Sequence, residues 1–318
     1  MKAEDVRKIA VIGQGMMGHG IAQVFASKGF DVQLYGRREE GLRVATENIR
    51  SNLSKMANKG VIQEGEIAST LGRIRTTTSL AEATAGAQMV IETVAENLEL
   101  KQGLFEELDC LSPRETILTT NTSVISISEV AARARYRERI VGTHFWNPPF
   151  LIPLVEIVKG RDTLEEVQDV TYDVLRKAGK HPVKVKKDVP GFLANRLQHA
   201  LWREAISIVE HGIADAAGVD ECIKMGFGIR LPVLGPMENA DMVGLDMTLA
   251  IHDYILKHLE SSPGPSPLLK EKVERGQLGF KTGQGFRTWS AEEAKESRER
   301  LLDYLLDWMV RERGRAEQ

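Results

Sequence analysis

A histidine and a glutamate stand close together in one apolar stretch of the chain: Gly142-Thr143-His144-Phe145-Trp146-Asn147-Pro148-Pro149, followed by Leu154-Val155-Glu156. A neutral imidazole held by a carboxylate is the usual device for taking a proton from an alcohol near neutral pH. A glutamate between Val155 and Ile157 is costly to bury unless it has a partner. The pair therefore reads as general base, His144, and orienting carboxylate, Glu156. A lone histidine among aromatics is more often a satisfied core residue. The Asn147-Pro148-Pro149 turn and the later carboxylate weigh against that reading.

A hydride leaving the same alcohol needs an acceptor, and the start of the chain offers a place for one. Gly13-Gln14-Gly15-Met16-Met17-Gly18 has the G-x-G-x-x-G pattern between an apolar run, Lys8 to Ile12, and a helical stretch. In that setting the first glycine permits a tight turn. The second lets the backbone approach a pyrophosphate, and the third lets helix and strand pack closely. Gly36-Arg37-Arg38 follow the second strand, where enzymes that use NAD place an acid for the ribose diol. Here the acid is missing and two guanidinium groups suit a ribose 2′-phosphate, which makes NADP a candidate beside NAD. The alternative is that Arg37 stacks on adenine and Arg38 pairs with a nearby glutamate.

Asn121-Thr122-Ser123 closes another strand, and Ser123 could donate to a substrate oxygen. As a lone motif it would more often cap a helix, since Glu129 and an apolar run follow. Asn195, after Pro190-Gly191, could reach a cleft or simply make a capping or interdomain contact.

These residues must be positioned by a scaffold. Lys8–Ile12, Met16–Lys28 and Asp31–Tyr35 read as strand, helix and strand, a βαβ unit with a right-handed crossover. Residues 39–68 read as a helical hairpin broken at Gly60. Strands are expected at 74–77, 89–93, 117–120, 140–143, 154–158 and 183–185, the last of them with room to run antiparallel. The fold class is α/β, a Rossmann-like, doubly wound, mostly parallel sheet with a second, all-helical domain. The boundary falls at Asp188-Val189-Pro190-Gly191, giving domains 1–188 and 189–318. In the second, helices are expected at Phe192–His211, Asp220–Met225 and Ala240–Leu259, with an extra one at about 291–314. That helix has Leu301, Leu302, Leu305, Trp308 and Met309 on one broad face, to be buried on its own domain or in an oligomer.

The chain has 318 residues, enough for two domains, and a net charge of -3, so no basic field calls for nucleic acid or a membrane. No apolar run reaches membrane-spanning length. The start, Met1-Lys2-Ala3-Glu4-Asp5, is not a signal peptide, so the expected location is cytoplasmic. Cys110 and Cys222 have no metal-ligand spacing, and no metal is expected. Both are expected to be buried free thiols.

Taken together, GQGMMG at 13–18, ENLELK at 96–101, NTS at 121–123, HFWNP at 144–148, LVE at 154–156, PGFLANR at 190–196, GPMENADMVGLD at 235–246 and KTGQGF at 281–286 resemble the L-3-hydroxyacyl-CoA dehydrogenase family over nearly the whole chain. The resemblance implies reversible oxidation of an (S)-3-hydroxyacyl-CoA, in fatty acid metabolism and β-oxidation, by a homodimer joined through its C-terminal domain. It implies that His144 and Glu156 are base and orienter, and that Ser123 and Asn195 bind the substrate. Gly13, Gly15, Gly18, Glu96, Lys101, Asn147 and Lys281 would contact the cofactor, with Gln14, Met16 and Met17 in the same turn. Lys59 would meet the CoA phosphate. The family's ribose-binding acid is Gly36 here, and a serine beside Lys59 is Asn52. NPPFLIPLVE at 147–156 and the extra helix look more like a branch containing L-gulonate 3-dehydrogenase, L-carnitine dehydrogenase and lambda-crystallin. That branch implies a small free 3-hydroxy acid as the alternative substrate, or a non-catalytic structural protein.

Overall fold

The computed structural model describes residues 1–316. The chain forms two compact units: Met1–Asn195 together with the end of the chain from Leu302, and Arg196–Leu301.

In the first unit the apolar runs become strands β1 (Lys8–Ile12), β2 (Asp31–Tyr35), β3 (Ile74–Thr77), β4 (Met89–Glu92), β5 (Ile117–Thr120), β6 (Ile140–Phe145), β7 (Leu154–Lys159) and β8 (His181–Val185). They make one sheet in the order β3-β2-β1-β4-β5-β6-β7-β8. Strand pairing is parallel except between β6 and β7, and β8 follows β7 in parallel. The last two strands thus run against the other six: the short β6–β7 connection allows the antiparallel step, and a crossover through a helix at Glu165–Lys177 sets β8 parallel to β7.

Helices α1 (Met16–Ser27), α2 (Glu39–Asn58), α3 (Gly65–Gly72), α4 (Leu80–Thr84), α5 (Leu98–Leu111), α6 (Ile127–Val130) and α7 (Glu165–Lys177) complete this unit's crossovers. Both faces of the sheet are buried: one under a cluster with Ile9, Val11, Phe25, Leu34 and Val155, the other under Ala10, Ile12, Phe105, Leu118 and Phe192. That is why the parallel strands read as near-continuous apolar runs. The expected hairpin at 39–68 is α2 and α3, turned at Gly60 with φ 73°.

The second unit is helical: α8 (Ala194–Glu210), α9 (Ala216–Met225), α10 (Pro236–Val243), α11 (Leu245–Ile255), α12 (Pro267–Glu274) and the first part of α13 (Ala291–Ala316). Two expectations are corrected. The single helix expected at 240–259 is broken at Gly244, whose φ of 102° only glycine adopts cheaply. The helix expected from Phe192 starts later, because Phe192 itself has φ 49° and lies in the preceding turn.

The expected domains and the compact units differ in two places, each with a physical cause. The first unit runs on through Asn195 because the backbone of Leu193 and Ala194 is tied to Glu156. It also takes in the end of α13, where Leu306 is buried with Met56, Val61 and Leu151 and packed by Leu302, Leu305 and Met309. The broad apolar face of that helix is thus largely covered by the α2–α3 hairpin. The cysteine expectation holds for the free thiols and is overturned for their burial: Cys110 and Cys222 are both free and exposed. Cys110 sits on the outer side of α5, where its neighbour Asp109 turns inward, and Cys222 is on α9, which buries no residue. No helix among the described residues is long and apolar enough to cross a membrane.

Candidate active site

β6 and β7 pair with His144 directly opposite Glu156, which puts both side chains on one face of the sheet. His144 Nδ1 lies 2.8 Å from Glu156 Oε2, and both residues are buried. The Trp146 indole donates to the same oxygen at 3.3 Å. The other oxygen accepts from the backbone NH groups of Leu193 at 2.8 Å and Ala194 at 3.0 Å. Burial pushes the Glu156 carboxyl up, but hydrogen bonds from His144 and from the NH groups of Ala194 and Leu193 outweigh it and hold it below the usual glutamate value. A carboxylate kept ionised fixes the imidazole with its proton on Nδ1 and leaves the lone pair on Nε2. The ring is held between Trp146 and Phe192, with centroids 5.3 and 5.8 Å away.

The turn Pro190-Gly191-Phe192 delivers those two NH groups. Phe192 adopts the left-handed region at a cost of order 1–3 kcal/mol and is 1% exposed, so its packing holds the strained turn in place. Asp188, just before, accepts from Ser126 Oγ at 2.6 Å and from the NH groups of Ile127 and Ser128. Ser126, not Ser123, caps α6, accepting from Glu129 N.

Ser123 is therefore free of the capping role. Its NH donates to Glu96 at 2.9 Å, as the Thr122 hydroxyl also does. The Asn195 amide donates to the Ser123 carbonyl at 3.1 Å. Asn121 Oδ1 accepts from Phe145 N at 2.8 Å, tying the end of β5 to the strand that carries His144. Hydrogen bonds thus join Glu96 to the 122–124 turn and that turn to Asn195, and the adjacent 193–194 backbone bonds Glu156, which holds His144. Four of the expected site residues, His144, Glu156, Ser123 and Asn195, are brought together in this way.

The glycine turn lies at the β1/β4 switch in strand order, where ligands bind in doubly wound sheets. A cleft of about 850 Å³ there is lined by Gly13, Gln14, Gly15, Gly36, Arg37 and Ala95, among others. A Cβ on Gly18 would sit 1.8 Å from Gly13 O, so glycine is needed for helix against strand. A Cβ on Gly15 would meet nothing within 4 Å, so that side is open to a ligand. Gly15 is the N-cap of α1, with no side-chain cap and no acid in the first turn. Bare NH groups at a helix start with open space in front suit a pyrophosphate. Met16 is exposed and Met17 half-buried at the same helix start.

Arg37 is exposed and lines the cleft just past the end of β2. Gly36 cannot simply be the missing acid: its Cβ would fall 1.5 Å from Gln14 Oε1, an atom buried without a hydrogen-bond partner among the described residues. Lys101 is 1% exposed. Its ammonium lies 2.8 and 2.9 Å from the two oxygens of Glu92 and 3.4 Å from Glu96, which makes it a support beneath the cleft. Asn147 follows β6 at a cis bond to Pro148. Lys59 ends α2 and pairs with Asp303 at 3.0 Å and Asp307 at 3.7 Å, both on α13. Lys281 is exposed in the second unit, in the turn closed by the Gly279–Gln284 bridge.

Sequence reading missed Trp146 and the 193–194 backbone as holders of Glu156, Asp188 as the anchor of that turn, and Glu92 as the partner of Lys101. Only Glu92 left a signal, an acid closing the apolar run Met89-Val90-Ile91.

The family model for the 3-hydroxyacyl-CoA dehydrogenase NAD binding domain matches residues 8–189, and that for the 3-hydroxyacyl-CoA dehydrogenase C-terminal domain matches 191–289. The chain is 36% identical to a 5-formyl-3-hydroxy-2-methylpyridine 4-carboxylate 5-dehydrogenase of Mesorhizobium japonicum, covering 91% of this chain and 93% of that one. It is 38% identical to a probable 3-hydroxybutyryl-CoA dehydrogenase of Bacillus subtilis, covering 89% and 97%. Among solved structures, a 5-formyl-3-hydroxy-2-methylpyridine 4-carboxylic acid 5-dehydrogenase, described as an NAD+ dependent dismutase, superposes with TM-score 0.88 at 33% identity over 95% of this chain and 97% of that one. The (S)-3-hydroxybutyryl-CoA dehydrogenase of Ralstonia eutropha superposes with TM-score 0.76 at 33% identity over 90% and 100%. Matches of this extent over both parts of the chain, with a nucleotide cleft and a histidine–carboxylate pair in place, make this oxidoreductase with an NAD-binding Rossmann fold a member of the 3-hydroxyacyl-CoA dehydrogenase family.

Proposed function

We propose that the protein oxidises, reversibly, a secondary alcohol at the third carbon of an acyl compound, with His144 as general base. The observation that carries this is the 2.8 Å contact between His144 Nδ1 and a buried, ionised Glu156. It leaves Nε2 to take the hydroxyl proton, while Glu156 stabilises the imidazolium that forms. Asn195 and Ser123, locked to each other, hydrogen-bond the substrate oxygen and hold it at His144. NAD, when bound, supplies the hydride acceptor; Gly13, Gly15 and Gly18 shape its turn, and Glu96, Asn147 and Lys281 are assigned to its contacts on the family resemblance. The intact set argues against a purely structural protein, and measurable turnover would discard that alternative.

Two substrate classes fit this chemistry. Oxidation of an (S)-3-hydroxyacyl-CoA to the 3-ketoacyl-CoA is supported by relatives named as 3-hydroxybutyryl-CoA dehydrogenases. A small free hydroxy acid is favoured by one specific observation. Lys59, the residue matched to the CoA phosphate, already has its charge taken up by Asp303 and Asp307. A phosphate brought there would meet two carboxylates, and like charges so placed repel. On the free-acid reading, free CoA does not compete with substrate in initial-rate assays, and Asp303→Asn with Asp307→Asn creates competition by releasing Lys59. Strong competition by CoA in the unaltered protein would restore the thioester reading.

For the cofactor, Arg37 is assigned to a ribose 2′-phosphate, so that NADP is accepted beside NAD. Arg37→Ala should lower kcat/KM with NADPH about tenfold or more, the loss of a charge-assisted contact, and leave the NADH value within about twofold. Equal effects on the two cofactors would remove Arg37 from that role.

The second unit is assigned to a homodimer. Among its described residues Ala294 is the one fully buried hydrophobic side chain, while Val233, Met237, Ile213 and Tyr254 are more than 70% exposed. Apolar faces of that extent mark an interaction surface. Light scattering should give twice the chain mass of 35.3 kDa; a monomer at micromolar concentration would overturn the assignment.

A further inference from the structure

A second cavity, of about 370 Å³, lies in the first unit and shares no lining residue with the nucleotide cleft or with the His144 pair. Its apolar walls include Val24 of α1, Met56 and Ile62 of the hairpin, Phe150, and Trp308 and Met309 of α13. Its charged lining is Lys28, Lys180, Glu66 and Glu312.

Lys180 is 7% exposed. Its ammonium donates to the carbonyls of Pro149 and, at 2.8 Å, Ile152, and has no carboxylate partner among the described residues. Burial alone pulls its pKa down to about 7. Beside it, the Cε of Lys28 would lie 3.0 Å from a Cβ on Gly179, the residue before Lys180, so Lys28 crosses the same corner. Of the acids, Glu66 accepts the NH of Gln63 at 2.7 Å at the start of α3. The cavity therefore joins an apolar body to a corner where the buried Lys180 ammonium is bonded by no carboxylate among the described residues, Glu66 and Glu312 lining it elsewhere, and its volume lies in the range of small-molecule pockets. A buried ammonium without an anion is the expensive member of such a site, and a carboxylate docking against it removes the cost.

We propose that this cavity binds an amphipathic carboxylate, its head on Lys180 and Lys28 and its tail between Met56, Phe150 and Trp308. The site does not depend on which substrate the enzyme oxidises. It adjoins the active site through one segment: Lys180 holds the 149–152 loop, which follows Asn147 and Trp146.

The test is calorimetric titration of the full-length protein with octanoate, in the presence of saturating NAD. One saturable site per chain is expected, with proton uptake read as a dependence of the binding enthalpy on the buffer's ionisation enthalpy. Lys28→Glu and Trp308→Ala should each weaken binding about tenfold, while His144→Ala leaves it unchanged. Absence of binding at millimolar octanoate would overturn the proposal. So would undiminished binding by both cavity variants, or loss of binding in His144→Ala, which would put the acid in the active site instead.

Discussion

Replacing His144 with alanine should lower kcat by about a thousandfold or more, within the range that a positioned general base contributes, and leave NAD binding intact. The two halves of that expectation rest on different parts of the molecule. The base lies on β6, bonded to Glu156 on β7. The nucleotide cleft is built from residues 12–15, 35–37 and 93–107 and includes neither of them. A fluorescence titration with NADH therefore serves as the internal control: affinity within about twofold of the unaltered protein, together with collapsed turnover, assigns the loss to proton transfer. Turnover near the unaltered value would remove His144 from the chemistry. Loss of NADH binding as well would mean that the substitution disturbs the fold around Trp146 and Phe192.

Glu156 should be the more damaging residue to truncate, because it serves structure as well as chemistry. Its two oxygens receive the His144 ring, the Trp146 indole and the NH groups of Leu193 and Ala194, at 1% exposure. Glu156→Ala leaves these buried donors without an acceptor and releases the strained Phe192 turn. A cost of about 3–5 kcal/mol is expected, as for breaking a buried ion pair, read as a lower midpoint in urea unfolding. Glu156→Gln keeps the shape and loses the charge. It should fold and still lose about a hundredfold or more in kcat, since an amide does not stabilise the imidazolium.

The pH dependence follows from the sign of the shift. Glu156 has a folded pKa held below its ordinary value of 4.5, so its stabilisation is complete above about pH 4.5 and is lost as the pH falls through the folded pKa. The acid limb of the stability profile should flatten in Glu156→Gln. An unchanged limb would mean that other carboxylates control it.

Much of this was legible in the amino-acid sequence. The apolar runs Lys8–Ile12 and Met89–Glu92, the glycine spacing at 13–18 and the helix after it identify a doubly wound sheet and its nucleotide turn, because strand burial on both faces and close helix packing act on contiguous residues. The histidine and the apolar-flanked glutamate were legible for the same reason: the energetic cost of burying either one alone can be read from its neighbours. The roles implied for Ser123 and Asn195 came from ordered motifs, not from local physics.

What the tertiary structure alone decided involves residues distant in sequence. The antiparallel register of β6 and β7 sets His144 opposite Glu156 and not one residue off, which would have turned the two side chains to opposite faces. The turn at Phe192 returns two backbone donors to Glu156 across a separation of 37 and 38 residues, and nothing local to either segment encodes that meeting. Lys101, matched to a cofactor contact by the ordered motifs, is enclosed by Glu92 on the neighbouring strand, a pairing that nothing local to either residue encodes. Most of all, the end of α13 lies against α2, where Asp303 and Asp307 take the charge of Lys59. Periodicity announces that a helix has an apolar face, but long-range packing decides which surface that face covers, and here that decision bears on the substrate.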